Sequence, residues 1–465
     1  MTRPPSSSGV PASAAPDAPP FESGPGAWLE ARLALIHPAW VALALFIVGL
    51  IVYFGSNPAR HDFYDHFVWQ ADAFLQGRAE IAYPISEGPH RNDYFQDVLP
   101  VGPGRAQIPF PPLPAIVLLP FVAVWGLGTN GAAVAALLGA VNVALCWTML
   151  LHVTPRRAAA LLGTLFYAFG TVAWYAAMLG TTWFLAHAVA STLLFVAITL
   201  ALRADSAALR DRVSEGRRTM GGQVAAGLAF GAAATARLTT VVGAPFFVFV
   251  GGGGSWARRA VSAGVGALIP VLLLLGYNLL TTGEIFHPAY DYLYEVEYRP
   301  KPELINPEWA AEDPRYIPQN LGIMLGSLPL TPLLDDAGCA LQSLSLGSLF
   351  DRDCPLLRPD PIGMSLLLSS PAYLLGLVAL LDWRRRLVAG AALAVVAISL
   401  AVLMHFSQGW VQFGYRFSND FAPFATVLVA LGITRLRAGW LSIALVAASI
   451  LINAWGVWWG VTLGW

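Results

Sequence analysis

Two carboxylates, Asp62 and Asp65, stand shortly after the first long apolar run, and Asp72 follows in the same segment. If 62–76 is helical, Asp62 and Asp65 share one face at i, i+3. A carboxylate at the edge of a low-dielectric pocket keeps a raised pKa and can take a proton from a hydroxyl as general base. The same pair could instead ligate a divalent metal, so a divalent metal is a possible cofactor. The plain alternative is a solvated helix face. His187 lies just after Leu179-Gly180-Thr181-Thr182-Trp183, where an imidazole could donate to a phosphate or pass a proton. Arg237 interrupts two apolar stretches. Such an Arg costs about 2.5–3.5 kcal/mol at mid-membrane, so it is expected at a tight turn or facing a polar cavity. There it suits bidentate binding of a phosphate. Arg416, between Tyr415 and Asp420 in the run Gln408–Asp420, is a second candidate phosphate clamp. Otherwise it forms a surface pair with Asp420 beside interfacial aromatics. The chain has no phosphate-cradling Gly-rich loop with Lys-Ser/Thr, no His-Glu-x-x-His zinc helix and no Gly-x-Ser-x-Gly elbow. No basic patch suits nucleic acid. Any reaction must draw its energy from an already activated substrate.

The elements that must hold these residues are membrane helices. Hydrophobic residues make up 56% of the chain and charged ones 12%, against roughly a quarter charged in soluble proteins. Runs such as Trp40–Phe54, Gly131–Leu151 and Val388–Met404 are apolar on every face, without the polar stripe of a soluble helix. The pattern predicts an all-α polytopic membrane protein with about eleven transmembrane helices of roughly 20 residues each. They fall near 35–54, 131–152, 158–178, 184–202, 222–236, 239–253, 260–280, 362–381, 387–405, 421–434 and 439–461. With the N-terminus inside, 16 of the 27 basic residues and 7 of the 28 acidic ones are cytoplasmic, the asymmetry expected of a bacterial inner-membrane protein. This places the C-terminus in the periplasm. Pro111–Gly126 is apolar but holds four prolines; it reads as a helix in the outer interface or re-entering it.

The expected organisation is a disordered cytoplasmic tail over 1–33, a transmembrane module over 34–280 with outer loop 55–130, a large outer loop over 281–361, and C-terminal membrane helices over 362–465. Both large loops interleave aromatics with acids, as in His61-Asp62-Phe63-Tyr64-Asp65-His66-Phe67 and Tyr290-Asp291-Tyr292-Leu293-Tyr294-Glu295. Sugars are gripped by aromatic faces and carboxylates; the other reading is an interfacial aromatic belt. Cys339 and Cys354 share the second loop, where they could pair in an oxidising periplasm or remain thiols.

Loop one, from Tyr64-Asp65-His66-Phe67 through Ala71-Asp72-Ala73-Phe74-Leu75-Gln76-Gly77-Arg78 to Gly104-Arg105 and Ile108-Pro109-Phe110-Pro111-Pro112-Leu113-Pro114, resembles membrane glycosyltransferases of the GT-C superfamily. It is most similar to the group of protein O-mannosyltransferases and the aminoarabinose transferase of lipid A. Gly227-Leu228-Ala229-Phe230-Gly231 with Ala236-Arg237-Leu238 resembles that group's fifth-helix turn, and Gln412–Arg416 is similar to the late outer loop of uncharacterised bacterial relatives. The resemblance implies juxtamembrane helices in the first periplasmic loop and a site at the outer membrane face. It implies inverting transfer of a sugar from a polyprenyl-phosphate donor to a lipid, glycan or protein acceptor, among membrane lipids. Asp65 or Asp62 would be the base, and Arg237 and Arg416 would hold the donor phosphate. His187, Tyr415, Asp72 and Arg105 are further candidates. The usual Asp-Glu pair of the family is replaced by Asp65-His66. A lipid or sugar transporter or flippase, and a noncatalytic scaffold, are the rival readings.

Overall fold

The computed structural model describes residues 24–59, 64–88, 90–93, 97–210, 217–300, 306–335, 339, 345–409 and 411–464. It is a membrane protein built mostly of helices. In order these are α1 (Pro25–Ala34), α2 (Pro38–Ser56), α3 (His66–Leu75), α4 (Leu113–Trp125), α5 (Gly131–Val153), α6 (Arg157–Phe169), α7 (Ala173–Leu179), α8 (Thr182–Arg210), α9 (Arg217–Ala234), α10 (Pro245–Phe249) and α11 (Trp256–Thr282). The helices Arg386–Leu403, Ser418–Arg435 and Trp440–Leu463 follow the second large loop. Among the described residues six helices are long and apolar enough to cross a bilayer: α2, α5, α8, α11, Arg386–Leu403 and Trp440–Leu463. A seventh span is made if α6 and α7, bent by 48° at their junction, are counted as one. The other four expected spans correspond to shorter or polar-ended helices. Arg237, Pro245 and Gly251 interrupt one pair, and Ser418–Arg435 carries Asp420 and Arg435 at its ends.

Contacts sort the helix ends into two sets. At one end Arg157 donates to the carbonyls of Leu33 and Ile36, Arg386 pairs with Asp205, and Arg435 pairs with Asp382. At the other, Asn57 donates to the Met178 carbonyl, Gln107 to that of Thr281, and Asn320 to that of Leu403. Most of the expected tail lies outside the described residues, but its last part is the helix α1. There the Glu30 carboxylate accepts the backbone N–H groups of Arg157 and Ala158 at the start of α6. That satisfies two donors that a helix N-terminus leaves open.

Loop one departs from the all-α expectation in one respect. Between α3 and α4 it folds a small antiparallel sheet of β1 (Ile81–Ala82), β2 (Leu99–Gly102) and β3 (Arg105–Gln107), in the order β1-β3-β2. Its inward residues Ile81 and Ala106 join Phe67, Val68 and Leu118 in a core of their own. The Pro111–Gly126 segment yields the 13-residue helix α4, which packs on α3. In the second large loop Cys339 and Cys354 form a disulfide.

Two features aim the polar residues. In α9, Gly227 and Gly231 leave no room for a side chain against the α11 backbone at Ala263 and Ala267. This close approach of small residues locks α9 to α11 and fixes where its end, and so Arg237, must lie. The helix Ser418–Arg435 is buried from Ser418 through Ile433, which carries Asp420 into the protein interior.

Candidate functional site

Asp420 sits in the first turn of Ser418–Arg435, with its side chain fully enclosed. Arg237 clamps it with two hydrogen bonds, Nε to Oδ1 at 3.1 Å and Nη2 to Oδ2 at 2.9 Å. The Thr239 hydroxyl donates to Oδ2 at 2.6 Å, and His187 Nδ1 lies 2.8 Å from Oδ1. Three elements thus meet at one carboxylate: α8, the turn after α9, and Ser418–Arg435. Such a knot holds only if every lone pair is used, since a buried charge is tolerated when it is both paired and hydrogen-bonded. The alternative in which Arg416 and Asp420 form a surface pair does not hold. Asp420 faces inward on its buried helix, where Arg237 reaches it from the neighbouring turn. His187 is enclosed as well. α8 begins at Thr182, so His187 lies more than a turn inside and is 1% exposed.

Arg416 lies beside this knot in a different environment. Its guanidinium is packed among the rings of Trp183, Phe184 and Phe417, with centroids at 5.7, 5.9 and 5.1 Å. Its Nε is buried without a hydrogen-bond partner, and no carboxylate among the described residues comes within ion-pair distance. Burial, and then the like charge of Arg237, lower its pKa to about 10, so it stays a cation at neutral pH. The carboxylates acting on it from farther off are Asp97 and Asp420. Cation–π contacts soften the cost of burying it, each worth about 0.5–2 kcal/mol. Gly409, with φ at 97°, is required here. A side chain at that position would run into the Arg416 guanidinium, and an L-residue would be strained in that backbone besides.

Trp183 links this cation to loop one. Its ring packs on those of Tyr64 at 5.3 Å, His66 at 6.3 Å and Phe110 at 6.4 Å. Asp65 is the residue before α3, not a member of it. Its carbonyl opens the helix by accepting from Val68 and Trp69, while its carboxylate caps nothing in α3. Tyr64, at φ 57°, turns the chain there, and its carbonyl accepts from Thr182. The shared helix face expected for Asp62 and Asp65 therefore does not form at Asp65; Asp62 lies outside the described residues. The Asp65 carboxylate points toward the start of α5, where Oδ1 stands 3.5 Å from where a β-carbon on Gly131 would be. The next residue, His66, is wholly buried with Nδ1 2.8 Å from the Thr182 hydroxyl. Burial lowers its pKa to about 4.

The remaining candidates are dispersed. Tyr415 is buried and donates to Gln408 Oε1, which makes it a brace for the loop that carries Arg416. Asp72 accepts from Gln76 one turn along the exposed side of α3, and Arg105 is exposed on β3. Neither joins the knot or the surroundings of Arg416. Among the described residues no three His, Cys, Asp or Glu side chains gather into a metal-binding group. Sequence reasoning missed Asp420 as the hub, Thr239 as its second donor, and Trp183, Phe184 and Phe417 as the setting of Arg416. The aromatic doublet right after Thr181-Thr182 was the available signal. Tyr290 also belongs to the site's edge, within electrostatic reach of both arginines and with its ring 6.2 Å from that of Phe110.

No family model and no curated protein sequence matches the chain. Among solved structures it is similar to the oligosaccharyltransferase of Archaeoglobus fulgidus in the apo form, at 13% identity and a TM-score of 0.44. The match takes in 91% of this chain and 55% of that one, so the chain spans about half the length of that protein.

Proposed function

We propose that this protein is a membrane glycosyltransferase of the GT-C type, which moves a sugar from a polyprenyl-phosphate donor to an acceptor hydroxyl at the outer face of a bacterial inner membrane. The observation that carries this reading is Arg416, a half-buried cation with an enclosed, unpartnered Nε, an aromatic lining and no ion-pair partner among the described residues. Withdrawing a charge from water without pairing it is unfavourable, and an anion from outside would complete the site. In a chain of membrane helices, a lipid-linked phosphate is the anion that arrives along the bilayer and carries an activated group. The loop-one and Gln412–Arg416 patterns that resemble the superfamily agree with it.

The roles follow from placement. Arg416 takes the donor phosphate. Arg237 adds positive potential, but with its guanidinium already committed to Asp420 it acts as a fixed charge more than as a ligand. Asp65 is the base. The sugar C1–O bond to the phosphate breaks, and a bond forms from the acceptor oxygen to C1 with inversion. The acceptor proton passes to Asp65, and the charge left on the polyprenyl phosphate falls to Arg416. Preorganised charge of this kind usually supplies the greatest share of an enzyme's rate enhancement. Asp62 remains a second candidate for the base, and a divalent metal at the loop-one carboxylates remains part of the proposal. The four remaining segments, 222–236, 239–253, 362–381 and 421–434, are read as further crossings. They complete eleven spans, with the N-terminus cytoplasmic and the C-terminus periplasmic.

The test is transfer of radiolabel from a panel of polyprenyl-phosphate sugars to membrane extract, with the protein in vesicles. Label entering a new product with the unmodified protein, and not with Asp62→Asn/Asp65→Asn, supports the reading. Full transfer by that double variant removes the proposed base. Labelled donor crossing leaflets without transfer would replace the enzyme by a flippase.

A further inference from the structure

A groove of about 420 Å³ opens on the side of the helix bundle between α2, α4 and α5, within the roughly 300–1,000 Å³ of small-molecule sites. Its walls are Leu50 and Phe54 from α2, Phe121 and Trp125 from α4, and Ala133 and Leu137 from α5. Phe121 and Trp125 stack nearly parallel, their planes 17° apart, and make one flat wall. α2 is the least buried of the six spanning helices, with 17% of its apolar stretch enclosed, so the groove opens toward lipid.

The groove is not apolar along its whole length. Thr129 and Asn130 line one end, and Gly131 follows them. Asp65 Oδ1 stands 3.5 Å from where a β-carbon on Gly131 would be. An apolar slot facing the bilayer therefore runs out at polar residues next to the carboxylate assigned as base. A peptide or free glycan would find no hydrogen-bonding partner along the walls. A lipid would place its chain on the walls and its head at the polar end.

We propose that this groove holds the apolar chain of a lipid acceptor, with the hydroxyl-bearing head at the Asp65 end. That the lipid is an acceptor rests on the transferase reading; that the groove binds a chain does not. Donor and acceptor then approach from different sides of loop one, the donor phosphate at Arg416 and the acceptor chain between α2 and α4.

The probe is an isoprenoid alcohol with a diazirine in its chain, photolysed with the full-length protein in vesicles. Labelling should fall on α2, α4 and α5, be competed by unlabelled alcohol, and persist in Arg416→Gln. It should drop by about tenfold or more, equivalent to about 1.4 kcal/mol, in Ala133→Trp. Leu137→Trp, and Leu50→Trp on the opposite wall, are independent fillings of the groove should one variant fail to fold. Labelling that survives all three substitutions overturns the proposal. So does equal labelling by a diacyl phospholipid bearing the same diazirine, which would mean ordinary bilayer contact. Transfer activity without groove labelling removes this site and leaves the transferase reading. Groove labelling without transfer from any donor keeps the chain site and removes that reading.

Discussion

Two arginines a short distance apart meet opposite fates in this protein. Arg237 is tied to Asp420 by two hydrogen bonds, in a knot that also uses Thr239 and His187. Arg416 is likewise half-buried but is met by aromatic faces, with its Nε unpaired. A charge whose partners are all supplied by the chain stabilises the fold and has little left for a ligand. A charge held in place without its counterion is preorganised to receive one, and the fold carries the cost until the ligand binds. The contrast separates scaffold from site more sharply than residue type does, because both residues are Arg.

The most severe way to break the contrast is Asp420→Ala. Removing one partner of a buried pair costs about 3–5 kcal/mol. The expected outcome is a lower melting temperature in detergent and poor yield. A variant as stable as the unmodified protein would show that the knot is not structural. Arg416→Gln should act the other way round. Loss of a fixed charge at developing negative charge lowers turnover by about 10²–10³-fold, while the melting temperature holds or rises because an uncompensated charge has gone. Equal turnover in a transfer assay would end the donor-phosphate role. Asp420→Asn with the Arg416 charge intact sharpens the comparison further. Its thermal loss should exceed that of Arg416→Gln, whatever happens to activity.

A smaller effect is expected from pH at His66. Its folded pKa, about 4, is depressed by burial below the ordinary value of 6.5. The neutral ring is therefore favoured by the fold. Its contribution is complete above pH 6.5 and is lost as pH falls from there toward 4. Melting temperature against pH should show this acid loss, and His66→Gln should flatten it. The smallest effects belong to Asp72→Asn and Arg105→Gln. Both lie outside the charged cluster, and surface changes of this kind stay within about 0.5 kcal/mol. Turnover within about twofold of the unmodified protein is the expected result, and a large loss would bring loop one's exposed face into the site.

Loop one shows how far sequence pattern reaches. Two short helices were expected there and both form, because Asp65, Pro112 and Pro114 mark their starts and Gly77 and Gly126 their ends. The sheet between them was not legible: strands of two to four residues carry too little alternation to read. Arg237 and Arg416 stood out because a charge in an apolar context is conspicuous on its own. Asp420 did not, because its meaning depends on a partner 183 residues away in the chain.

By itself the sequence determined the solvent of the chain's long apolar segments. Long uncharged apolar runs can satisfy their backbone in a bilayer only as helices, and this is a local property of each run. Arg at helix ends, prolines in broken segments and the aromatic–acid loops are local in the same sense. Which charge is neutralised within the chain and which is left open was decided by tertiary structure alone. Pairing needs atoms within about 3 Å of each other, and that distance is set by how α8, α9 and Ser418–Arg435 cross. No spacing along the chain encodes it.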